Sequence, residues 1–180
     1  MLAKKMEKAL VRHINEELHS AYIYMSMSAH SSSTGLKGFS TWFMAQYHEE
    51  MMHAMKMYEY VQSQGGEIIL TAIEEPPRGF KSALDMVQQT LDHERYMTKN
   101  INDLLEMAIE ERDHATQIFL HWYVTEQVEE EDTVGEILAR LKLIGDDPNA
   151  LLMLDKEMGG RAVTVPTDFS QGIQGALKGA

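Results

Sequence analysis

Apolar residues recur along most of this chain at alternating steps of three and four, the period of a helix with one buried face. Four long stretches follow that period. The first covers about Lys4 to Ser33 and stops at Thr34-Gly35, where a glycine can turn left-handed. The second runs from about Leu36 to Gln64 and ends at Gly65-Gly66. The third begins near Ser82, whose spacing to Asp85 reads as an N-terminal cap, and fades near Glu110. The fourth is capped by Asp113 and runs to Ile144, just before Gly145. A short fifth helix follows, with Asp147 as its cap, Pro148 in its first position and Gly159-Gly160 at its end.

Helices of about 28 residues are each about 40 Å long at 1.5 Å per residue. The links inside the first pair and inside the second pair are short, so each pair should be antiparallel. The segment GGEIILTAIEEPPRGF joins the pairs, and its two consecutive prolines bar a long helix. It is long enough to run back along the bundle, which leaves the second and third helices parallel. The expected fold is all-α: a four-helix bundle with one long crossover and a short fifth helix. The bundle domain should span 1–160, with four helices over about 4–145 and the fifth over about 148–159. The remainder, RAVTVPTDFSQGIQGALKGA at 161–180, lacks a clear period and reads as an extension of unknown role.

Each apolar stripe is broken by a polar residue near its middle. The first reads Leu10, Ile14, Glu17, Ala21, Tyr24, and the second Phe39, Phe43, Gln46, Glu50, His53, Met57. The third reads Val87, Leu91, Glu94, Thr98, Ile101, Leu105, and the fourth Phe119, Tyr123, Gln127, Glu130, Val134, Ile137, Leu141. The breaks obey a hidden repeat. Adding 77 to positions 17, 50 and 53 gives 94, 127 and 130, and Glu49 maps in the same way onto Glu126. The two hairpins therefore read as copies related by a pseudo-twofold axis, with their acids at one level in the core.

A buried charge is costly unless something compensates it. Carboxylates from Glu17, Glu50, Glu94 and Glu130, with one imidazole from His53 and one amide from Gln127, point to two divalent cations. Such a carboxylate-rich, thiolate-free set suits iron or manganese better than copper. The composition agrees. The chain has 180 residues, 44% of them hydrophobic, a formal net charge of -12 and no cysteine. That charge disfavours nucleic acid and attracts cations. The absence of cysteine excludes disulfides, zinc thiolate sites and protein-held iron–sulfur clusters. No stretch approaches 18 uncharged apolar residues, and the charged N-terminus has no signal-type apolar core, so a cytoplasmic protein without membrane partners is expected.

Other residues admit two readings each. Tyr24 either packs, or donates a hydrogen bond to a metal ligand or an electron to the centre. Glu49, Glu126 and Glu129 are either solvated acids or, with Glu130, a further and more exposed metal site. Trp122 reads as filling, and the 14 methionines as core. No haem is expected. The histidines other than His53 read as surface or packing residues.

Three stretches carry a resemblance: NEEL at 15–18, HEEMMH at 48–53, and FLHWYVTEQVEEE at 119–131. With GLKGFSTWF and EEPP, they make residues 1–160 similar to the non-haem ferritins of bacteria and archaea. The resemblance implies a ferroxidase, an oxidoreductase acting on metal ions, which oxidises Fe(II) with O2 or H2O2. It places one iron at Glu17, Glu50 and His53, and a second at Glu50, Glu94 and Glu130 with Gln127 beside it. A third site would use Glu49, Glu126, Glu129 and Glu130. It also implies self-association into a hollow shell, usually of 24 subunits, that stores hydrated ferric oxide, with the fifth helix packing at the fourfold axis. Many di-iron bundles carry a second Glu-x-x-His. Here Gln127-x-x-Glu130 stands in its place, which argues against bacterioferritin, rubrerythrin and ribonucleotide-reductase-like enzymes. The alternative function is a di-iron oxidase or peroxidase that stores no mineral. The ligand repeat speaks against a purely structural bundle, and the acidic charge and fifth helix against a DNA-protecting mini-ferritin.

Overall fold

The computed structural model describes residues 2–161 and Gly172. Five helices lie among them: α1 (Lys4–Ser33), α2 (Lys37–Ser63), α3 (Ala83–Glu110), α4 (His114–Ile144) and α5 (Pro148–Met158). No strand occurs among the described residues. The all-α expectation holds, and every helix boundary falls within a residue or two of the one read from the sequence. Apart from Arg161 and Gly172, the proposed 161–180 extension lies outside the described residues.

The stops and starts have local causes. Ser82 Oγ accepts from Asp85 N at 3.1 Å, Asp113 Oδ1 from Thr116 N at 3.1 Å, and Asp147 Oδ1 from Asn149 N at 2.9 Å. Each satisfies an amide that the first turn of a helix leaves without a partner. Gly145 closes α4 at a φ of 57°, a conformation in which a side chain would be strained.

Two apolar clusters occupy the two ends of the bundle. One joins Tyr24 and Met27 of α1 to Phe39 and Phe43 of α2, Met86 of α3 and Ile137 of α4. The other joins Leu10 and Ile14 of α1 to Met57 of α2, Ile101 of α3 and Tyr123 of α4. The first cluster thus takes the late turns of α1 and α4 and the early turns of α2 and α3. This fixes the directions: α2 and α3 run parallel, each antiparallel to its hairpin partner, and residues 65–81 make the crossover. Of the four predicted stripes, only Thr98, Leu105 and Phe119 are less than fully buried.

α5 folds against the start of α2. No side chain of its own caps α2, but Asp155 Oδ1 of α5 accepts from Phe39 N at 2.9 Å. The two backbones cross at glycines. A Cβ on Gly38 would fall 1.5 Å from the Asp155 carbonyl oxygen, and one on Gly159 would lie 3.2 Å from Gly38 Cα. Gly38→Ala must therefore push α5 away. The expected cost is about 1–3 kcal/mol, read as a lowered midpoint of thermal unfolding. Asp155→Ala, which removes only the cap, should cost about 1 kcal/mol. An unchanged midpoint for Gly38→Ala would show that α5 does not dock on α2 in this way.

Candidate metal centre

The stripe periodicity sends one polar turn of each helix into the gap between the two apolar clusters. Glu17, Glu50, His53, Glu94, Gln127 and Glu130 are all buried there. A ligand atom from each of Glu17, Glu50 and His53 lies within 4.8 Å of the other two. His53 Nδ1 is 3.4 Å from Glu50 Oε2 and 4.0 Å from Glu17 Oε2. A second group joins His53, Glu126 and Glu130, with His53 Nε2 4.0 Å from Glu126 Oε1. His53 Nε2 is buried without a hydrogen-bond partner. A buried imidazole nitrogen left free among carboxylates fits a cation site.

Glu94 is oriented rather than free. The Tyr24 hydroxyl donates to Glu94 Oε1, and Gln127 Nε2 donates to its Oε2 at 3.3 Å and to its backbone oxygen at 3.2 Å. Of the two readings of Tyr24, the structure shows the hydrogen bond to a candidate ligand. Gln127 turns its amide nitrogen to Glu94. Glu94 joins neither three-residue group.

The acids read as a third site differ in their surroundings. Glu126 is half-buried and near His53, whereas Glu129 is exposed. Glu49 pairs with Arg161, its Oε2 2.5 Å from a guanidinium nitrogen. Glu126 and Glu130 gather with His53, and Glu49 and Glu129 lie close enough for their charges to act on Glu126.

Three residues that touch this belt were not singled out from the sequence. His13, one turn before Glu17, is buried with Nε2 3.0 Å from Glu17 Oε1, in an ion-pair contact rather than an aligned hydrogen bond. Of the surface and packing readings of His13, the structure shows packing, and it adds the contact with Glu17; its position four residues before a candidate ligand was the available signal. Gln46 Nε2 donates to Glu130 Oε2 at 2.9 Å. Its place on the α2 stripe, one turn before Glu50, pointed inward. Arg161 had no such signal. Among the aromatic residues, Trp122 sets its ring edge-on to His53 at 5.4 Å, and the Tyr123 hydroxyl donates to the His53 carbonyl at 2.7 Å. A cavity of about 940 Å³ lies elsewhere, between α1, α3 and the crossover, and no candidate ligand lines it.

The metal-free belt holds protons. Burial pushes the Glu50 carboxyl well above the usual range, and the neighbouring Glu17 and Glu94 charges add to this. Burial, then Glu94 and Glu49, raise Glu130 likewise. Glu94 rises to about 7 through burial, although the Tyr24 and Gln127 hydrogen bonds oppose it. Burial also acts on Glu17, but the imidazoles of His13 and His53 outweigh it and the net direction is down. The acids are therefore unequal: Glu17 is shifted towards the ionised form, and Glu50, Glu94 and Glu130 towards the protonated form.

A four-helix bundle with one long crossover and a carboxylate–imidazole belt across its middle defines the class of ferritin-like, metal-binding bundles. Comparison with known proteins agrees. A family profile described as a ferritin-like domain matches residues 7–144. A bacterial non-heme ferritin of Campylobacter jejuni is 37% identical over 156 residues, spanning 87% of this chain and 93% of that protein. One from Staphylococcus aureus is 36% identical over 161 residues, spanning 89% and 97%. A solved open-pore ferritin from the hyperthermophilic archaeon Archaeoglobus fulgidus matches with a TM-score of 0.89 and 49% identity, covering 90% of this chain and 100% of that one. The chain belongs to the ferritin family.

The raised carboxyls make the metal-free protein sensitive to pH. Glu94 titrates near 7 when folded and near 4.5 when not, so its contribution to stability is complete below pH 4.5 and is lost as pH rises through 7. Glu50 and Glu130 act in the same direction. Glu17, being lowered, acts in the opposite direction and below this window. Unfolding of the metal-free protein should therefore become easier between pH 6 and 8. Glu94→Gln should remove about 1 kcal/mol of that loss. Parallel stability curves for the two proteins over this range would refute the assignment.

Proposed function

We propose that the protein is a ferroxidase and iron store. In this reading Fe(II) is its substrate, and hydrated ferric oxide collects inside a shell of about 24 chains, a closed symmetric assembly. The observation that carries the reading is the buried trio Glu17, Glu50 and His53, which with Glu94 and Glu130 sets four carboxylates deep in an apolar bundle beside an imidazole nitrogen left unpartnered. Membership of the ferritin family supports it.

Glu17, Glu50 and His53 would take the first iron. Glu50, Glu94 and Glu130 would take the second, with Gln127 beside it. Two Fe(II) supply the two electrons that reduce O2 to peroxide, or peroxide to water. The chain's own part is electrostatic and positional. Glu17 is ready as an anion, while Glu50, Glu94 and Glu130 give up protons as the cations enter, so the charge of the belt stays nearly balanced. Tyr24 and Gln127 keep Glu94 from swinging away. The Tyr24 hydroxyl, burial-raised and facing Glu94, remains protonated as a donor. Glu126 and Glu49, with Glu129 and Glu130, offer oxygen ligands on the more exposed flank, along which ferric product would leave towards the store. No helix among the described residues is long and apolar enough to cross a membrane.

Aerobic addition of Fe(II) to the metal-free protein should give a fast optical phase that ends near about two irons per chain. Slower uptake of many more should follow, with all the iron eluting with a very large particle. Glu50→Ala should lack the fast phase. Fast oxidation with iron lost from a small oligomer would instead identify a non-storing di-iron oxidase or peroxidase. Oxidation no faster than in buffer would overturn the ligand assignment.

A further inference from the structure

Arg161 follows α5 directly, after Gly159 and Gly160, and its side chain returns to α2. Three groups form a socket for its guanidinium. Nη2 lies 2.5 Å from Glu49 Oε2, Nη1 donates to Gln46 Oε1, and the plane sits over the Trp42 ring with 5.2 Å to the centroid. A carboxylate, an amide oxygen and an aromatic face are the three partners a guanidinium accepts best. The amide of Gln46 then has a fixed sense. Its oxygen faces Arg161, so its nitrogen faces Glu130 Oε2, at 2.9 Å. One cation thereby acts on two of the acids assigned to the third metal site, Glu49 directly and Glu130 through Gln46.

We propose that Arg161 is a tethered cation that competes with a divalent metal ion for Glu49, and so sets the affinity of the third site. This rests on the ferroxidase reading above and concerns only the third ion. A guanidinium stays charged at every physiological pH, so the competitor is always present. An arriving ion must break the Arg161–Glu49 pair, while Trp42 and Gln46 keep the guanidinium close by and ready to return. The third ion is consequently held less firmly than the first two, as a transit position between oxidation and storage requires. Glu126, Glu129 and Glu130 supply the remaining oxygen ligands, and Glu49 is the residue contested.

The test is anaerobic titration of the assembled, full-length protein with Zn(II), followed by calorimetry. A Trp122→Phe background leaves Trp42 as the sole tryptophan, so its fluorescence reports whether the guanidinium still covers the ring. The wild-type Arg161 protein should bind two ions tightly and a third weakly, with the Trp42 signal changing at the third. In Arg161→Gln the third ion should bind at least tenfold more tightly, the first two should be unaltered, and the Trp42 signal should stay flat. Arg161→Lys, which keeps the charge but not the two-nitrogen grip, should fall between. Adding Glu49→Gln should abolish the third ion in both backgrounds. Two tight ions with a third whose affinity is the same within twofold in Arg161→Gln overturn the proposal. The absence of any tight ion would overturn the ferroxidase reading and this proposal together, a result plainly distinct from the former.

Discussion

The structure is organised by the electrostatic cost of keeping carboxylates in an apolar bundle. Glu17, Glu50, Glu94 and Glu130 are all nearly inaccessible to water, and carboxylates in such a place ionise only with compensation. Every neighbouring feature offers some. His13 and His53 hold Glu17 ionised, and protons neutralise Glu50 and Glu130. Tyr24 and Gln127 direct hydrogen bonds at Glu94, and Gln46 directs one at Glu130. The apolar clusters above and below hold the packed hydrophobic side chains, and the belt lies between them. Ferritin-family membership suits this arrangement: in the proposed function, the cations that would complete the belt are also the substrate.

Most of the architecture was legible from periodicity and punctuation. The stripes, the glycine stops and the Ser82, Asp113 and Asp147 caps mark the helices because capping and turn chemistry act over a few residues. The parallel course of α2 and α3 followed from the length of the crossover. The level of the acids followed from the offset of 77, since equal spacing on equivalent helices brings residues to one height. What escaped were contacts made between helices by residues without a distinguishing type. His13 and Gln46 gain their meaning from the rotation of α1 and α2 about their axes by a fraction of a turn. Arg161 sits outside any periodic segment, so only the tertiary course of α5 reveals its partners. The division of the outer acids depended on the same unseen contact, because Glu49 is drawn to Arg161 while Glu126 faces His53.

The duplicated hairpins are equivalent in backbone and unequal in chemistry. The position that holds His13 in the first hairpin holds Thr90 in the second, whose hydroxyl donates to its own helix at Met86 O. Gln46, which bonds Glu130, corresponds to Tyr123, which bonds the His53 carbonyl. Tyr24 corresponds to Ile101, an apolar core residue. One half of the belt therefore has an imidazole and a carboxylate whose titration is lowered, and the other has hydrogen-bonded acids whose titration is raised. In the proposed function, two cations entering such a belt would meet different affinities, and unequal affinity would order their arrival and their departure.

The glycine crossing of α2 and α5 has a mechanical consequence. Gly38 and Gly159 touch with no side chain between them, and Arg161 lies only two residues beyond. The seat of α5 on α2 and the grip on Glu49 are therefore neighbours along the chain, so that α2 is held twice by one short segment: at its first turn by Asp155, and further along by Arg161 at Gln46 and Glu49.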